Sequence, residues 1–137
     1  MYKYKTVRGC DVPEEAKELT RGDEGCMKPW LETKRDHMVA VLLYQNDKLI
    51  GWCCAVRTTF LGHYTKNVEI GTYMHPKYRN KGFGRKLLDK MLWMLRMVDP
   101  KTIVRYGAPT DDAGFFNKTY EATIEKRGLR AKRYFCV

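Results

Sequence analysis

VEIGTYMHPKYRNKGFGRKLL, residues 68–88, decides how this 137-residue chain is read. Val68 to Met74 is a β-branched and aromatic run, and His75-Pro76 ends it, as expected of a strand. From Gly84 to Val98 the apolar residues Leu87, Leu88, Met91, Leu92, Met94, Leu95 and Val98 recur at the helical period, and Asp99-Pro100 stops the run. Between the two lies a short loop with glycines at 82 and 84 and cations at 79, 81, 85 and 86. A helix N-terminus leaves backbone N–H groups unpaired and carries a partial positive charge. Glycines let that backbone come close to a phosphate. The stretch therefore predicts an anion cradle between a strand and a helix. It fits neither common glycine loop: Lys86 or Leu87 stands where a dinucleotide fingerprint needs its third glycine, and no Gly-x-x-x-x-Gly-Lys-Ser/Thr occurs.

The remaining elements follow by working outward. Tyr2 to Arg8 alternates weakly, as a first strand. Asp11-Val-Pro-Glu-Glu reads as a helix start with a capping acid, the helix running to about Arg21. Met27 to Asp36 is ambiguous and leaves room for a second short helix. His37 to Tyr44 and Leu49 to Thr59 are two strands joined by the hairpin signal Gln45-Asn46-Asp47-Lys48. Phe60 to Asn67 reads as a loop. Thr102 to Tyr106 is a strand, Asp112 to Lys126 a helix ended by Gly128, and Leu129 to Val137 a closing strand. A three-stranded meander followed by βαβαβ predicts an α/β (α+β) fold: one domain over residues 1–137, with a mixed sheet of about six strands and helices on both faces.

Composition bounds the function. No apolar run approaches the roughly 18 residues of a membrane span, and no secretory signal is visible, so a cytoplasmic protein without a membrane partner is expected. Five cysteines, odd in number and without Cys-x-x-Cys, suit neither a disulfide framework nor a zinc site, and His37 and His63 are isolated. The net charge of +10 collects in two places. Lys77, Arg79, Lys81, Arg85 and Lys86 crowd the glycine loop, where a polyanionic cofactor accounts for them. Lys126, Arg127, Arg130, Lys132 and Arg133 crowd the C-terminal end without an evident reason. By alternation Arg130, Lys132 and Tyr134 share one strand face, leaving open either a solvated surface or contact with nucleic acid.

The loop resembles the signature Arg/Gln-x-x-Gly-x-Gly/Ala of the GNAT superfamily of acyl-CoA-dependent N-acetyltransferases, matched by Arg79-Asn80-Lys81-Gly82-Phe83-Gly84. Tyr73-Met74-His75-Pro76 before it and Leu87-Leu88 after it fit the same pattern. The resemblance implies acetyl-CoA as acyl donor, an amine acceptor, and no metal. It places the pyrophosphate on residues 79–84 with Arg85 beside them, and the pantetheine arm on the backbone of Tyr73 and Met74. Asn117 matches an asparagine that contacts that arm. Glu69, ten positions before Arg79, stands in the register of the family's catalytic glutamate. About 16 Å of strand separates it from Met74, comparable to an extended pantetheine arm. Alternation puts Glu69, Gly71 and Tyr73 on a face towards the cleft, and Val68, Ile70, Thr72 and Met74 on the face packed against the helix Gly84–Val98. A carboxylate partly desolvated there suits a general base; a glutamate paired with a lysine or arginine is the structural alternative.

The chain departs from the family in its last helix, in its tail, and in the short stretch between the first and second strands that often shapes the acceptor pocket. Isoleucine occupies position 124, where many members carry the tyrosine that protonates the departing thiolate. Tyr120 lies one turn earlier and takes the role if the helix is shifted; otherwise it is a packed aromatic and solvent supplies the proton. Only about nine residues follow the last helix, enough for one strand where the family usually has two, so a second subunit, as in a homodimer, is left open as completing the acceptor site. The leading expectation is direct acetyl transfer to a primary amine of a protein, peptide or small molecule. The alternative is a coenzyme A-binding module, or an acetyltransferase, that engages nucleic acid or an acidic protein through its basic surface.

Overall fold

A computed structural model describes residues 1–20, 38–108 and 114–135. The second helix expected within Met27 to Asp36 lies outside the described residues. Six strands form one mixed sheet in sequential order: β1 (Tyr2–Arg8), β2 (Met38–Gln45), β3 (Lys48–Phe60), β4 (His63–Met74), β5 (Ile103–Ala108) and β6 (Arg130–Phe135). β1 to β4 are antiparallel neighbours, whereas β4–β5 and β5–β6 are parallel.

The β2–β3 turn places Asn46 and Asp47 at φ 49° and 68°, the two positive values that a tight hairpin turn needs and that Asn and Asp tolerate. The β3–β4 connection repeats this with Leu61 and Gly62 at φ 50° and 80°. Residues 63–67 are therefore the outer half of β4, correcting the loop expected from Phe60 to Asn67. They lack an apolar face and are held by polar cross-strand bonds instead: Arg57 donates to the Thr65 carbonyl at 3.1 Å, and Thr58 and Thr65 join through their hydroxyls.

The first helix is also shorter than expected. Gly9–Asp11 is a single 3-10 turn, in which Asp11 faces Arg8 at 3.5 Å and does not cap the helix. Helix α1 (Glu14–Leu19) starts after Pro13, whose fixed φ suits a helix entry. It closes where the Thr20 hydroxyl bonds the Ala16 carbonyl at 3.1 Å.

Helix α2 (Phe83–Val98) joins β4 to β5, and α3 (Gly114–Lys126) joins β5 to β6. Right-handed crossovers put both on one face, over a core of Val68, Ile70, Met74, Leu87, Met91, Leu92, Val104 and Ile124. Val98, expected on this face, is 77% exposed at the last turn. The other face carries α1, with Val12 and Ala16 against Ala40, Leu42, Trp52, Cys54 and Tyr73. Helices thus flank both faces. Among the described residues no helix is long and apolar enough to cross a membrane.

Candidate active site

The glycine loop is built from its backbone. His75 accepts the Lys77 N–H on Nδ1 at 3.1 Å and opens a 3-10 turn, Pro76–Tyr78. Arg79 then turns back, donating from Nε to the Met74 carbonyl at 2.9 Å, with its guanidinium 5.3 Å from the Tyr73 ring centre. Asn80 at φ 63° and Gly82 at φ 85° give two left-handed bends. Gly82 is the N-cap of α2; having no side chain, it offers no cap hydrogen bond. The first helical bond runs from Lys86 N–H to the Gly82 carbonyl at 3.2 Å. The N–H groups of the first turn, Phe83 to Arg85, accordingly have no intrahelical partner. No acid lies in that turn, and Arg85 and Lys86 are exposed beside it. A Cβ on Gly84 would meet only Met74 Cγ at 3.7 Å, so the fold itself does not require glycine there. What the bare position provides is open access to the N–H groups. The Phe83 ring is turned away, 4.7 Å from Tyr2.

Beside the loop, the sheet opens. β4 and β5 pair only from Asn67↔Ile103 to Ile70↔Tyr106, while β3 follows β4 to Met74. His75 N–H bonds the Ile50 carbonyl at 2.8 Å. Antiparallel alternation then turns the Tyr73 backbone towards β3, and the backbone groups of Thr72 and Met74 towards the gap where β5 has left. Of the two residues expected to line that gap by backbone, Met74 is oriented to do so. Tyr73 is oriented away, its ring 6.2 Å from Trp52 in the α1-side core. Thr72, not foreseen as a site residue, faces the gap by backbone instead.

Tyr120 reaches the same opening. Its hydroxyl lies 2.7 Å from Thr72 Oγ1, which in turn contacts Cys53 Sγ at 3.4 Å. Ile124 is fully buried in the core, so the tyrosine one turn earlier is the one directed at β4. A cavity of about 80 Å³ is lined by Thr72, Gly84, Leu88, Thr119 and Tyr120, and connects the start of α2 with the phenol. Burial pushes the Cys53 thiol up to about 12, which removes it as a nucleophile at neutral pH. Asn117 lies in α3, with its side chain outside the described residues.

Glu69 projects from the opposite face, in register with Val56 on β3 and Arg105 on β5. It is half-buried, and Oε1 stands 3.6 Å from Arg105 NH1. The carboxylate is thus ion-paired, as in the structural alternative, though on an interior strand beside the opening of the sheet. Arg105 escaped the sequence reading, although a charge in the middle of an otherwise apolar strand signalled it.

The C-terminal cations separate into different settings. Arg127 clamps α3 to α2, with Nε donating to Asp89 Oδ1 at 2.6 Å and NH2 to Oδ2. These bonds hold the Asp89 carboxyl below its usual range. Arg85, Lys86, Lys126 and Arg127 line a groove of about 810 Å³ between the two helices, next to the loop. Arg130 and Lys132 are exposed on the Glu69 face, whereas Ala131 packs on the α3 side. The Tyr134 side chain lies outside the described residues.

Comparison with known proteins agrees with this arrangement. Residues 6–98 match the model of the acetyltransferase (GNAT) family. A search of curated proteins finds no match in sequence. Among solved structures, an aminoglycoside acetyltransferase from an uncultured soil metagenomic sample superposes with a TM-score of 0.64 at 12% identity, over 88% of this chain and 87% of that one. Aminoglycoside N-acetyltransferase AAC(6′)-Iy in complex with coenzyme A gives 0.62 at 13%, over 88% and 89%. Escherichia coli ElaA gives 0.60 at 17%, over 86% and 85%. At these identities the structural matches establish a shared fold. With an uncapped glycine-led helix beside a parting pair of parallel strands, and a family model covering more than half of its length, the chain belongs to the GNAT family of acetyltransferases.

Proposed function

We propose that this chain transfers an acetyl group from acetyl-CoA to a primary amine by direct attack. One observation carries the reading: the uncapped start of α2 and the Tyr120 hydroxyl border one cavity, at the place where β4 parts from β5. The N–H groups of residues 83–85, with Arg85 alongside, suit a pyrophosphate. Thr72 and Met74 offer backbone donors and acceptors to an extended amide-bearing arm. Arg79 acts on that arm's binding edge through the Met74 carbonyl, and Asn80 and Lys81 shape the loop.

Glu69, directly or through a water, takes a proton from the acceptor ammonium or attacking amine. The nitrogen bonds the thioester carbonyl carbon while a backbone N–H on the open edge of β4 stabilises the oxygen that becomes negative. As the C–S bond breaks, Tyr120 or water gives the thiolate a proton, and Thr72 holds the phenol in position. The products are an amide and the free thiol of coenzyme A.

The test is thiol release from acetyl-CoA against a panel of small amines, peptides and charged tRNAs. Release coupled to amide formation with at least one class is expected. Tight acetyl-CoA binding with no turnover of any class would reduce the protein to a binding module.

A further inference from the structure

Resting on that reading, we infer that the amine acceptor also carries an anionic group, a carboxylate or a phosphate, held by Arg105, Lys132 and Arg130. Glu69, Arg105 and Lys132 are register partners on β4, β5 and β6, and side chains in register across parallel strands share a face. Arg130 lies two residues earlier on β6, on the same side. The three strands place Lys132 roughly 10 Å from Glu69 across the sheet. Among the described residues the α1-side core takes none from β5 or β6, and Arg130 and Lys132 are exposed. Among the described residues Glu69 pairs with Arg105, leaving the two exposed cations Arg130 and Lys132 as an excess beside the proposed base.

Among the described residues, other charges do not cancel that excess. Glu121 and Glu125 lie on α3, on the opposite face, where with Arg133 they act on Tyr106. α1, which carries Glu14, Glu15 and Glu18, packs over β2 and β3. A basic floor next to Glu69 has two effects. It attracts an anion tethered to the acceptor and repels a polycation. It also favours the neutral amine over the ammonium, easing the proton loss that must precede attack. A polycationic acceptor, such as the aminoglycosides for which two of the structural neighbours are named, suits this surface poorly.

The experiment compares matched acceptors at saturating acetyl-CoA. Phosphoethanolamine is set against ethanolamine, a lysine peptide flanked by glutamates against the same peptide flanked by arginines, and kanamycin is the polycation. We expect kcat/KM to favour the anionic member of at least one pair by about tenfold, to fall with added salt, and to exceed that for kanamycin. The pair that shows the preference identifies phosphate or carboxylate. Lys132→Glu and Arg130→Glu should abolish the preference while leaving the KM for acetyl-CoA unchanged. Equal rates within both pairs, a preference for the cationic members, or a preference untouched by both variants overturns the inference and leaves amine acetylation standing. Absence of turnover with every amine, with acetyl-CoA still bound, overturns both.

Discussion

Glu69 and Tyr120 approach the opening of the sheet from opposite faces, and each is fixed by a neighbour. Arg105 holds one oxygen of the Glu69 carboxylate, and Thr72 holds the Tyr120 hydroxyl. Replacing Glu69 by glutamine keeps the shape and removes the proposed proton acceptor. Turnover should fall by about 10²- to 10⁴-fold, the usual worth of a positioned base, with acetyl-CoA affinity nearly intact. Steady-state kinetics with a titration of acetyl-CoA separates the two; full activity at neutral pH would make Glu69 structural. At this scale the sequence was informative about local geometry: Gly82 starts the helix without a capping side chain, and Gly84 leaves the first turn bare. It was silent where a role depends on which strand edge a residue faces. The Tyr73 backbone faces β3 and the Thr72 backbone faces the gap because one antiparallel hydrogen bond, His75 to Ile50, sets the phase of the whole edge.

Among the elements, α2 was legible because a long amphipathic period bounded by Gly82 and Asp99-Pro100 admits little else. The outer half of β4 was not, since His63 to Asn67 projects beyond the core and is held by threonine and arginine bonds, with no apolar alternation to report it. α1 began late because Asp11 was drawn into a separate turn facing Arg8. The clamp between α2 and α3, Asp89 with Arg127, pairs residues 38 apart and leaves no local pattern. It makes a pH prediction. The Asp89 carboxyl is depressed by its bonds to Arg127. Its contribution to stability is therefore present above the ordinary carboxylate pKa and is lost as pH falls through the lower folded value. Asp89→Asn should unfold at lower urea than the parent at pH 7, the gap narrowing steadily below about pH 4. A gap that persists unchanged at pH 2 would assign the loss to packing.

Across the whole molecule, charge and opening coincide. One basic region surrounds the start of α2 and the groove towards α3, and the other lies on the Glu69 face of β5 and β6, so the proposed donor and acceptor would meet cations on opposite sides of the sheet. The meander of β2, β3 and β4 was readable because short connections make sequential strands neighbours. Nothing local in either strand encodes the parting of β4 from β5. The central claim is that the glycine-led start of α2 seats acetyl-CoA. It is tested most directly by the melting temperature with and without acetyl-CoA, in the parent and in Gly82→Glu and Gly84→Glu. A ligand that binds only the native state at 100 times its Kd stabilises by about 2.7 kcal/mol, a shift of several degrees for a domain of this size. The account predicts that shift in the parent and none in either variant, because a carboxylate then occupies the anion's place at the first turn; equal shifts in all three proteins would contradict it.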